Sequence, residues 1–102
     1  MALQFSEEVV NFDPSSSQTQ HKVVTSVFSG QVQRATVALK GFGIQFNNGD
    51  HNLFAQTVDA FVIDGGIVQN TVTAQVDFLL RDNNADDPFS GSVALVVLAE
   101  VA

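Results

Sequence analysis

The chain has 102 residues, and its 4 Lys+Arg against 11 Asp+Glu give a net charge of -7. That length holds one domain with one hydrophobic core, residues 1–102. With no cysteine, disulfides and thiolate metal sites are excluded. The acidic balance argues against nucleic acid and against anionic membrane surfaces as partners, because both need a basic patch.

The composition points to strands. Val, Phe, Ile and Thr pack well on a pleated, half-buried surface, and no stripe of helix-forming residues gathers at a period of 3.6. Leu3 to Phe12 reads as a strand at an edge of the fold. Asp13 to Gln20 (DPSSSQTQ) reads as a polar loop. His21 to Ser29 alternates, with Val23, Thr25 and Val27 on one face and Val24, Ser26 and Phe28 on the other. In Arg34 to Phe46, Gly41-Phe42-Gly43 interrupts the alternation and shifts its register, which marks a bulge or a sharp bend. Asn47 to Asn52 is a polar connection. Asn52 to Asp64 alternates again, and Asp64-Gly65-Gly66 predicts a tight hairpin turn.

Val68 to Arg81 carries the clearest period of two. Val68, Asn70, Val72, Ala74, Val76, Phe78 and Leu80 share one face, with Gln69, Thr71, Thr73, Gln75, Asp77 and Arg81 opposite. This segment is expected to pair antiparallel with the one before the turn. Asp82 to Pro88 reads as a second long polar connection. Ser90 to Ala102 is apolar on both faces, as in a central strand covered on both sides, the second cover being open to a neighbouring subunit. Six strands at short spacing, with Gly, Asn and Asp between them, predict an all-β, antiparallel β-sandwich.

The start MALQFSEEVVNF lacks the basic and apolar regions of a signal peptide, which predicts a soluble product, cytoplasmic or exported without a cleaved signal. No apolar run reaches the ~18 residues of a membrane span. Support for covalent chemistry is thin. There is no cysteine nucleophile and no G-x-S-x-G elbow, and His21 and His51 are the only imidazoles. The chain is not expected to be an enzyme.

Two polar connections are the candidate binding sites. Asp50, His51 and Asn52 follow Gly49, and their carboxylate, imidazole and amide groups are the types that bond sugar hydroxyls. They are equally the ordinary residues of a hairpin loop. In Asp82 to Asp87, the spacing of Asp82, Asn84 and Asp86 suits calcium, whose ligands are carboxylate, amide and carbonyl oxygens. The missing glycine and distal Glu exclude an EF-hand. The same residues fit an acidic turn in which Asp and Asn bond their own backbone. No other cofactor is expected. Nine Phe with no Trp or Tyr suit a dry core or a dry subunit interface. Phe89, beside the acidic loop, reads as a core residue closing one end of the sandwich, the alternative being an aromatic platform for a ligand.

From Thr36 to the C-terminus, the pattern resembles the H-type lectin domain, the invertebrate agglutinin and discoidin C-terminal module. Val37, Leu39 and Gly41 match its V-x-L-x-G strand, and Asn52-Leu53 its N-L after a polar loop. Thr71 to Leu80 matches its alternating strand and Ser92 to Glu100 its apolar last strand. The chain lacks the family's last-strand Trp at Val96-Val97-Leu98, and Phe54 stands where many members have a basic residue. The resemblance implies a six-stranded sandwich that binds glycans as a homo-oligomer, a trimer or a hexamer. It also implies sugar contacts from Arg81, Asp82 and Asn83, at a joint between subunits. The alternative expectation is a structural or assembly subunit, of a phage tail, capsid or surface assembly, without ligand chemistry.

Overall fold

A computed structural model describes residues 2–16, 19–46, 53–82 and 88–102, with backbone alone at 15, 16, 53–55 and 82. Its six strands are β1 (Ala2–Ser16), β2 (Gln20–Val27), β3 (Val32–Phe46), β4 (Leu53–Val68), β5 (Thr71–Asp82) and β6 (Pro88–Val101). They form two antiparallel sheets of three, ordered β1-β6-β3 and β2-β5-β4. β1 lies over β2, β6 over β5 and β3 over β4, so the two central strands face each other across the core. The all-β sandwich expected from the alternation is the observed fold.

The two central strands supply most of that core. Val72, Ala74, Val76, Phe78 and Leu80 point inward from β5, and Phe89, Val93, Leu95, Val97, Ala99 and Val101 from β6. Full burial of each large apolar side chain stabilises by about 1.5–3 kcal/mol. At one end Phe78 stacks on Phe12 with ring centroids 4.4 Å apart, and it meets Phe89 at 5.7 Å. Phe89 is fully buried there, the place the sequence predicts for it.

Glycine sets the local shape at two points. Of the two register shifts of β3 against β6, one follows Val32 and the other falls between Leu39 and Gly41, at the predicted interruption. Beyond it, β3 passes so near β6 that a Cβ on Gly91 would stand 2.0 Å from the Gly43 carbonyl oxygen. Gly91 therefore has no room for a side chain.

Three boundaries differ from expectation. The predicted turn at Asp64-Gly65-Gly66 is instead a bulge inside β4, between Val62 and Ile67, with Gly65 at φ 71°. The hairpin turns at Gln69-Asn70, where Gln69 takes φ 54°. A glycine that permits positive φ serves a bulge as well as a turn, so the local signal does not separate them. Val68 and Asn70, assigned from sequence to the face of β5, therefore belong to the end of β4 and the turn. The predicted loop from Asp13 is shorter, because β1 resumes pairing with β6 at Ser15 and Ser16 after a register shift. Pro14 sits in that shift, where an edge strand tolerates a missing donor.

β1 also carries an inverted pattern. Its inward residues before Val10 are Gln4, Ser6 and Glu8, while Leu3, Phe5 and Val9 face outward. The polar groups close the open side of the sandwich. Ser6 and the buried Ser26 both donate to Glu8 Oε2, at 2.6 and 2.8 Å, and Gln4 Nε2 donates to Ser29 Oγ at 2.6 Å.

Candidate functional site

Strand pairing decides where the predicted binding residues can lie. Leu53 pairs with Asp82, Phe46 with Phe89 and Ser16 with Pro88. The strand ends at Phe46, Leu53, Asp82 and Pro88 therefore lie at the same end of the sandwich. The opposite end holds Ala2 paired with Val101, together with the Gln69-Asn70 turn. The two connections singled out from sequence, far apart in the chain, thus spring from adjacent strand ends.

Of the predicted site residues, Arg81 is described. It is half-buried, on the outward face of β5 beside that end. Asp82 closes β5 by pairing with Leu53, and its side chain lies outside the described residues. Asp50, His51, Asn52, Asn83, Asn84 and Asp86 also lie outside them, and with them the candidate calcium site. Among the described residues, no group of three or more His, Cys, Asp or Glu side chains is placed to hold a metal. Nor do they include a helix long and apolar enough to cross a membrane.

At the same end, the outer face of β1-β6-β3 holds an open cleft of about 590 Å³. Asn11, Gln45, Ser90 and Ser92 line it, with Gly43, Gly91, Ile44 and Phe12. Register builds it directly: Asn11, Ser92 and Gly43 stand side by side on β1, β6 and β3, and Ser90 stands opposite Gln45. A Cβ on Gly43 would meet nothing within 4 Å, so the absence of a side chain there keeps the cleft open. Its polar groups are two amides and two hydroxyls, each able to donate and accept, and none carries charge. The volume lies within the range of small-ligand sites.

Sequence reasoning missed this cleft, because its residues are spread over three strands and none belongs to a motif. The one signal was Gly41-Phe42-Gly43, read as a bulge. The empty space beside Gly43 is the other half of what those glycines do.

The opposite sheet presents a hydrogen-bonded network. His21 Nδ1 bonds Asp77 Oδ1 at 2.6 Å, and Gln75 Nε2 donates to the same oxygen at 2.9 Å. Partial burial pushes the Asp77 carboxyl up, but the hydrogen bonds from Gln75 and His21, with the His21 charge, outweigh it and hold Asp77 below its ordinary value. His21 is thus an exposed strand residue paired with a carboxylate. Thr25 and Thr73 bond side by side further along the same face, at 2.9 Å.

Compared with known proteins, the chain matches no family model, no curated protein and no solved structure.

Proposed function

We propose that the chain is a carbohydrate-binding, lectin-like module that works as a homo-oligomer. The observation that carries this reading is the uncharged cleft of amides and hydroxyls at the end that holds the strand ends bordering both polar connections. A sugar presents a ring of hydroxyls, each donor and acceptor at once, and amide and hydroxyl side chains match that pattern without fixing a charge. A net charge of -7 disfavours anionic ligands and leaves neutral glycans unaffected. Asp50, His51, Asn52, Arg81, Asp82 and Asn83, in or next to the two polar connections of the sequence, are the residues we propose to contribute further contacts. The H-type lectin resemblance supports the same assignment. Weak single sites gain from multivalency, which gives the oligomer its role. No catalytic role is proposed.

The test is thermal unfolding with N-acetylgalactosamine and related sugars at mM concentration, followed by a broad glycan panel. A ligand that binds the folded state raises the melting temperature. Gly43→Val, which fills the cleft, and the pair Asp82→Ala with Asn83→Ala should each reduce that rise while the unliganded protein melts as before. No shift with any glycan would refute the reading.

A second reading, a structural or assembly subunit, is favoured by the exposed apolar side chains of β1. Under it, the same variants leave assembly intact and no glycan shifts the melting temperature.

A further inference from the structure

The outer face of β1-β6-β3 divides along its length. Toward the chain termini it is apolar: Leu3, Phe5 and Val9 on β1 are 62%, 65% and 64% exposed, next to Ala94, Val96 and Leu98 on β6. Isolated exposed apolar residues are ordinary, but a contiguous patch marks an interaction surface.

The charges of this half identify the occupant. Among the described residues its four ionisable side chains form two ion pairs, Glu7 with Lys40 at 3.2 Å and Arg34 with Glu100. The half-face is therefore neutral. The remaining nine acidic and two basic residues carry the whole -7 of the chain. Two copies of so acidic a protein repel over most of their surfaces, and this face is where they meet without like-charge cost. A cationic partner would be drawn elsewhere.

The area is sufficient. Seven residues of strand run ~24 Å at ~3.4 Å each, and the molecule's short axes are 21 and 18 Å. Such a patch covers on the order of 500 Å² per copy, or about 1,000 Å² for a pair, the lower bound of a specific interface.

We infer that a second copy of this chain docks on the apolar half of the outer β1-β6-β3 face, sheet against sheet. The contact buries Phe5 and Leu98 at its centre and leaves the polar cleft at the far end of the same face open. The inference rests on this face alone and does not require that the cleft bind sugar.

Sedimentation velocity over a wide concentration range tests it. The wild-type protein should move from 10.9 kDa toward twice that mass as concentration rises, and raised salt should not dissociate it. Phe5→Glu should weaken association by roughly tenfold or more, the effect of losing a central anchor. Because Phe5 is exposed in the single chain, the variant should keep its circular dichroism and melting temperature when dilute. Lys40→Glu should also weaken association by placing unpaired negative charge on the neutral face. Val23→Glu, equally exposed on the other sheet, should leave it unchanged. A wild-type protein that stays monomeric, or any assembly, including a trimer, that persists unchanged in Phe5→Glu, overturns the inference. Glycan binding by a monomer would overturn it while sparing the sugar reading.

Discussion

The tight approach of β3 to β6 at Gly91 makes Gly91→Ala a demanding test of the fold. The added Cβ would lie 2.0 Å from the Gly43 carbonyl oxygen and 2.8 Å from Phe78 Cζ, where real Cβ atoms keep at least 3.0 Å. Neither neighbour yields easily. The Gly43 carbonyl belongs to a strand held in register on both sides of the contact, Ile44 against Gly91 and Gly43 against Ser92. The Phe78 ring is stacked on Phe12 and packed against Phe89. Overpacking of this kind costs about 1–3 kcal/mol or more, and the reduced entropy of the unfolded chain returns about 0.4–1 kcal/mol. The net loss should be about 2 kcal/mol. For a domain of this size, that lowers the melting temperature by roughly 8–16 °C. Gly41→Ala is the matched control, since its Cβ would meet nothing within 4 Å and the same chemical change should be neutral or slightly stabilising. Thermal unfolding followed by circular dichroism, with urea midpoints at constant m, reads both. If Gly91→Ala melts with the wild type, or Gly41→Ala falls as far, the reasoning about strand approach is wrong.

Two further outcomes follow from the polar groups. Ser26→Ala removes a buried hydroxyl that donates to Glu8 Oε2, so urea unfolding should show a loss of about 1.5–3 kcal/mol, as for a hydrogen bond to a charged acceptor. Asp77 is held below its ordinary value of 3.8, so its ionised form stabilises the fold above about pH 4, and that contribution fades as pH falls through the lowered value. Asp77→Asn should therefore melt below the wild type at neutral pH, by no more than the ~1 kcal/mol of a surface pair. The difference should shrink in acid, which a pair of melting-temperature profiles against pH will show.

The parts of the fold that the sequence made legible are those where local pattern and tertiary environment agree. β5 alternates because one face meets the core and the other meets solvent, and its inward set, Val72 to Leu80, is the set that is buried. The bulge of β3 was legible from glycine alone. The hairpin turn was not, because Asp64-Gly65-Gly66 and Gln69-Asn70 both admit positive φ, and the choice between them depends on how far β4 stays in register with β5. The connections holding Asp50 to Asn52 and Asp82 to Asp87 were legible as polar segments. Their shared end of the molecule was not, since it follows from pairings across 29 residues (Leu53 with Asp82) and 43 residues (Phe46 with Phe89) of chain. The cleft was the least legible feature, being assembled from single residues on three strands.

β1 departs from the pattern most, and its departure bears on both proposals. A half-buried strand normally turns its apolar residues inward. Here Gln4, Ser6 and Glu8 are turned in, where Gln4 bonds Ser29 and both Ser6 and Ser26 donate to Glu8, and Leu3, Phe5 and Val9 are turned out. A one-residue slip would bury the apolar set, but it would also carry Val10 and Phe12 out of the core, where Phe12 stacks on Phe78. The register is thus fixed by the later half of the strand, and the earlier half is left with exposed apolar groups. Local and global preference conflict in the single chain, and such conflicts concentrate at functional surfaces. The outward residues of β6 change in step: Leu98, Val96 and Ala94 lie beside the apolar half of β1, and Ser92 and Ser90 beside Asn11 and the cleft. One sheet face is thereby divided between two kinds of chemistry, with the apolar half near the termini suited to another copy and the hydroxyl half near the polar connections suited to a sugar.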